Sequence, residues 1–165
     1  MKRDGFTLVE LIVVIAIIGI IASIVGFILL GAVDAWTFKI TRSDILWDGR
    51  LAMERMVREI REIRNLTSVV TANSSQFRFI NADDVDITYS VTSTNLNRTE
   101  DGNANILAAD VSSLGFTYYD ANGDTIATPA VSQSETNIRR VRINLTLTKN
   151  GKNLYLQSEG VPRNF

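Results

Sequence analysis

The sequence predicts an α+β protein: a long N-terminal α-helix, membrane-spanning in its first half and amphipathic in its second, packed on an antiparallel β-sheet head. Three observations carry that prediction. An uncharged apolar run occupies Leu11–Val33. A methionine and isoleucine stripe at helical spacing follows with no proline between. After Asn65 the composition turns to Ser, Thr, Asn, Val and aromatics in period-two alternation.

The apolar run comes first. Its 23 residues, Leu11–Val33, hold no charge. As a helix they extend about 34 Å, enough to cross a bilayer core of about 30 Å. Lys2 and Arg3 precede the run and no Lys or Arg follows until Lys39, which predicts a cytoplasmic N-terminus and an extracytoplasmic head. A secretory signal would have an apolar stretch of only about 7–15 residues, although Val33–Ala35 has the form of a signal-peptidase site. A plain anchor meets the length. Glu10 stands out against both readings: a carboxylate at mid-bilayer costs about 2.5–3.5 kcal/mol, less near the interface, so one at the front of such a run calls for a purpose.

Composition removes several kinds of chemistry. The formal net charge is −1, which gives no overall pull toward nucleic acid. Cysteine and histidine are both absent, so thiolate chemistry, disulfides and every histidine-dependent triad are excluded. No glycine-rich phosphate loop occurs. An enzyme would need a carboxylate pair, for instance among Asp83, Asp86 and Asp120, and no spacing singles one out; the expectation is a non-enzyme without cofactors.

The stretch Gly5-Phe6-Thr7-Leu8-Val9-Glu10, running into the apolar segment as far as Ile24, resembles the N-terminus of type IV pilins and type II secretion pseudopilins. The resemblance implies cleavage by a prepilin peptidase between Gly5 and Phe6, N-methylation of Phe6, and pairing of Glu10 with the free α-amine of a neighbouring subunit. Glycine suits the cut because it lets extended backbone approach a crowded active site. A charge-assisted bond to an ammonium offsets the cost of a carboxylate in an apolar bundle, and one such pair per subunit sets the axial stagger. The plainer reading of Glu10 is that it complements the helix dipole or reaches its own chain's amine at i−4. With the resemblance, the organisation becomes leader 1–5, membrane and filament-core half 6–35, amphipathic half 36–65 and β-rich head 66–165.

Beyond the membrane run the helix is expected to continue to Arg64, with Gly49 as a place to bend and Asn65 as its C-terminal cap. Met53, Met56, Ile60 and Ile63 lie on one face. Glu54–Arg58, Arg55–Glu59 and Arg58–Glu62 are i,i+4 pairs on the other, expected to form a solvated, salt-bridged surface rather than a nucleic-acid site. Trp36 suits the membrane interface and Trp47 the helix–sheet junction. In the head, residues 76–80 and 85–91 alternate across an Asn-Ala-Asp-Asp turn as a hairpin. Residues 139–148 alternate Val141, Ile143, Leu145 and Leu147 on one face, and Asn150-Gly151 then suits a type I′ turn. Residues 92–105 are polar and read as a loop. Asp120, Asn122 and Asp124 have the alternate spacing that opens a calcium loop, but the distal glutamate is missing and a β-turn explains all three, so no metal is assigned. The acidic turn Asp83, Asp84 and Asp86 has less claim still. The adjacent Tyr118 and Tyr119 are a possible sugar platform, with one ring expected in the core.

Major pilins usually carry a proline about twenty residues past the cut, where this chain has Phe27. Residues 49–65, 109–124 and 141–164 are similar to J-type minor pseudopilins and related minor pilins. The resemblance implies a structural subunit near a filament tip that helps initiate assembly. Its partners would be other pilin-type subunits, the prepilin peptidase, the inner-membrane assembly platform and, before assembly, membrane lipid. The other readings are a major pseudopilin, or a membrane-anchored adhesin-like or lectin-like module that needs no cut at Gly5.

Overall fold

The computed structural model describes residues 7–129 and 137–163. The chain divides into two compact units, Met1–Arg42 and Ser43–Phe165. One helix, α1 (Leu8–Arg61), enters both. Its first unit is a helix with apolar side chains open all round: Leu8, Ile12, Ile20, Phe27 and Val33 are each more than half exposed. A helix apolar on every face is one that belongs in lipid or in a bundle.

The second unit holds the whole core. After α1 the chain makes a 3-10 turn at Leu66–Ser68 and then nine strands. Strands β1 (Val69–Ala72), β2 (Phe77–Ile80), β3 (Asp86–Thr92), β4 (Asn95–Glu100) and β5 (Asn103–Ala108) form an antiparallel meander in that order. Strands β6 (Val111–Tyr119), β7 (Thr125–Ile126), β8 (Arg140–Lys149) and β9 (Lys152–Gly160) form a second sheet ordered β7-β6-β8-β9. The layout is α+β as the sequence predicts, with two sheets in place of one.

The expected helical stripe is the seam of this unit. Met53, Met56, Ile60 and Ile63 are all buried, among Phe77, Phe79, Ile87, Tyr89, Val141, Ile143 and Leu145. α1 runs through Gly49 without a break. A β-carbon there would lie 2.7 Å from Leu156 Cδ1 and 2.9 Å from Leu147 Cδ1, so the glycine lets α1 lie close to β8 and β9. Gly160 gives the same close approach from the sheet, where a β-carbon would come within 2.6 Å of Ile60 Cγ2.

Several sequence expectations change. The helix ends at Arg61, and Asn65 instead organises the next turn, its Oδ1 accepting from Thr67 Oγ1 (2.7 Å) and Ser68 Oγ (2.8 Å). The segment Ile63–Ala82 explains the early stop: Arg64 N donates to Ile80 O and Ala82 N to Glu62 O, drawing the chain into the sheet. Trp47 is 72% exposed and does not pack at the helix–sheet junction. Most of residues 92–105 is not a loop but the hairpin β4–β5, turning at Asp101-Gly102 with positive φ at both residues. Asn150-Gly151 forms the expected type I′ turn, with φ of 51° and 71°.

Candidate functional site

The N-terminal site is built from a helix start. Thr7 precedes α1; its Oγ1 accepts the Glu10 amide at 3.3 Å, and its carbonyl accepts Leu11 N at 3.2 Å. Thr7 is therefore the N-cap and Glu10 the third helical residue, the spacing of a Thr-x-x-Glu capping box. That spacing is legible in the sequence, but only the Thr7 half of the box forms. The Glu10 side chain is exposed and, among the described residues, the carboxylate has no hydrogen-bond or ion-pair partner. Gly5 and Phe6 lie outside the described residues. From Leu8 to Val33 the helix is apolar enough to span a membrane, with none of that stretch buried against protein. Within it Ser23 bonds Ile20 O at 2.7 Å, so its hydroxyl is satisfied by its own helix.

With this geometry the comparison with known families is decisive for one segment: residues 1–32 match the prokaryotic N-terminal methylation motif. The N-terminus is of the prepilin type. The match supports the type IV pilin and pseudopilin class, whose members are structural, are processed by a prepilin peptidase and assemble with other pilins. No curated protein matches the chain.

In the head the prominent polar constellation is one that the sequence reading missed. Glu59, on α1, is buried, and so is Arg98, on β4. Arg98 Nε lies 2.9 Å from both Glu59 oxygens, Arg55 Nε lies 3.0 Å from Oε1, and the Tyr89 hydroxyl donates to Oε2. Arg98 also reaches Glu100 through Nη1. Burial pushes the Glu59 carboxyl up, but the bonds from Arg98, Tyr89 and Arg55 outweigh it and hold the group below the usual carboxylate range. Burial and the Glu59 charge drive the Tyr89 hydroxyl well above its ordinary value. Every buried side-chain nitrogen and oxygen among the described residues has a partner. The network is a structural clamp between helix and meander, with no open position for a substrate.

Of the three expected i,i+4 pairs, Arg55–Glu59 forms, and it is drawn into this clamp rather than lying on a solvated face. Glu54–Arg58 and Arg58–Glu62 do not form ion pairs. The acidic turn is tied down by cations: Arg64 pairs with Asp84, and Arg78 with Asp86 at 2.6 Å. Asp120 Oδ1 accepts the amides of Asn122 and Asp124, both at 2.9 Å, which is the self-contained turn expected for those residues. Among the described residues no group of three His, Cys, Asp or Glu side chains gathers as metal ligands would. Tyr118 and Tyr119 are both buried, not one of the two; Tyr118 donates to Asn73 O at 2.8 Å, and the Tyr119 ring lies under Arg140 and Arg142. They offer no open ring face to a sugar.

Proposed function

We propose that the chain is a minor pilin or pseudopilin, a structural subunit near the tip of a type II secretion pseudopilus or type IV pilus that helps initiate assembly. The observation that carries this reading is Glu10. It is the sole charged residue from Leu8 to Val33, it lies within the matched methylation motif, and its carboxylate is unpartnered among the described residues. Cleavage between Gly5 and Phe6 would expose the α-amine that a neighbouring subunit's Glu10 binds, with Phe6 then N-methylated. The minor assignment is supported by the absence of proline throughout α1. The basic Lys2 and Arg3 support a single-pass inner-membrane precursor with its head outside the cytoplasm.

Mass spectrometry of the cellular protein tests the processing step. A chain starting at N-methylated Phe6 is expected; a start at Met1 or Trp36 supports the anchored-module or secreted readings instead. Glu10→Ala is expected to insert in the membrane normally and to be lost from sheared filaments. Normal incorporation of that variant overturns the pairing. Copy number relative to sibling subunits separates a minor role from a major one.

A further inference from the structure

The flank of α1 and the outer edge of β9 enclose a groove of about 650 Å³. Four arginines line it: Arg50, Arg58, Arg61 and Arg163. All four are exposed, and among the described residues none has an ion-pair partner within 4.0 Å. Glu54 and Glu62 also face the groove, leaving it with two more cations than anions. Met53, Val57 and Leu156 supply an apolar floor.

Strand β9 is the last strand of its sheet. The two-residue turn at Asn150-Gly151 is closed by Lys149 opposite Lys152, and the register then runs without a bulge to Val141 opposite Gly160. In such a hairpin the closing pair exchanges both backbone bonds and alternate pairs repeat it. The N–H and C=O groups of Tyr155, Gln157 and Glu159 therefore point away from β8, along the free edge. An unpaired edge beside an apolar floor is a template for another strand.

We propose that this groove binds an acidic, extended peptide segment of a second protein by strand addition to β9. Residues facing α1 in the added strand are every second one, and these would be the carboxylates that meet the arginines. The reach agrees: Arg50 to Arg61 extends about 16 Å along the helix, the length of about five residues of extended strand. A compact anion would engage only one end of that row. A nucleic-acid strand would find no aromatic side chain to stack on in this lining. The inference stands apart from the processing of Gly5–Phe6 and from the Glu10 pairing, because nothing in the first unit contributes to the groove.

The test uses the full chain in detergent micelles and a fluorescein-labelled heptapeptide, Thr-Glu-Val-Glu-Val-Glu-Thr, with a twin carrying lysine for each glutamate. Fluorescence anisotropy is expected to show saturable binding of the acidic peptide, weakened by salt, and none of the twin. Arg58→Glu combined with Arg61→Glu changes two exposed, unpaired side chains, so the fold is retained; affinity is expected to fall tenfold or more. Gln157→Pro removes one outward N–H and no bond to β8, and it should weaken binding as well. Absence of binding, equal binding of the lysine twin, or indifference to the arginine exchange overturns the proposal. So does displacement by millimolar inorganic phosphate, which would mark a simple anion site.

Discussion

On the helix surface alone Glu59 reads as half of an i,i+4 pair with Arg55, yet its dominant partner is Arg98, 39 positions along the chain. Local spacing cannot reveal this, because the partner lies on a strand whose sequence, Asn-Leu-Asn-Arg-Thr-Glu, looks too polar to be a strand at all. One consequence is an asymmetry between single and double substitutions. Glu59→Gln leaves the buried Arg98 with only the half-exposed Glu100 to balance it and is expected to cost about 3 kcal/mol in urea unfolding, whereas Glu59→Met with Arg98→Met should cost clearly less. A loss in the double variant equal to the sum of the two single losses would show that the charges act independently. A second consequence is a pH dependence of fixed sign. The Glu59 carboxyl titrates lower folded than unfolded, so its contribution is present above the unfolded value of about 4.3 and is lost as pH falls through the folded value. Glu59→Gln should flatten that acid limb. Glu10 was legible for the opposite reason: a lone charge in an uncharged run shows in one dimension.

Elements were legible wherever alternation or a turn dipeptide was strong. The helical positions Met53, Met56 and Ile60, the alternation Val141–Leu147 and the Asn150-Gly151 turn all sit where the sequence places them, while Ile63 is buried just past the helix end. The β4–β5 hairpin was missed because Arg98 takes an inward position normally held by an apolar residue, while Asp101-Gly102, a turn signal as good as Asn150-Gly151, was passed over. The close packing at Gly49 was not legible, because the residues opposite it, Leu147 and Leu156, lie about a hundred positions along the chain. Gly160 carries the clearest prediction at this scale. A methyl group there meets Cγ2 of Ile60, a β-branched side chain with little freedom in a helix, so α1 or β9 must shift. Gly160→Ala should destabilise by about 1–3 kcal/mol, read as a lower urea midpoint. Gly102→Ala or Gly123→Ala meets no neighbour; each should lose only the smaller cost of positive φ. A Gly160→Ala chain as stable as the parent would show that the helix is not held this close.

The division between Arg42 and Ser43 separates two kinds of stability. Every residue of the hydrophobic core, from Ile45 to Leu147, belongs to the second unit, and the Glu59 clamp joins α1 and the meander within that unit. Residues Leu8–Val33 contribute apolar surface that is not buried in protein, which is what a lipid or filament environment would use and what water penalises. Folding of the head and residence in a membrane therefore rest on different residues. The composition shift near Asn65 suggested a boundary at the end of the helix. The division by contacts lies inside α1, nearer the 35/36 boundary between the two helix halves, because the helical stripe that begins near Ile45 completes the core of both sheets. A chain beginning at Ser43 should thus fold in water without detergent and show one cooperative thermal transition by circular dichroism. A chain beginning at Leu66, which keeps the nine described strands but lacks Met53, Met56, Ile60 and Glu59, should show none, since both sheets lose the apolar face they share and Arg98 loses its Glu59 partner. If the shorter chain melted cooperatively at the same temperature, the helix would be an attachment to the head and not part of its core.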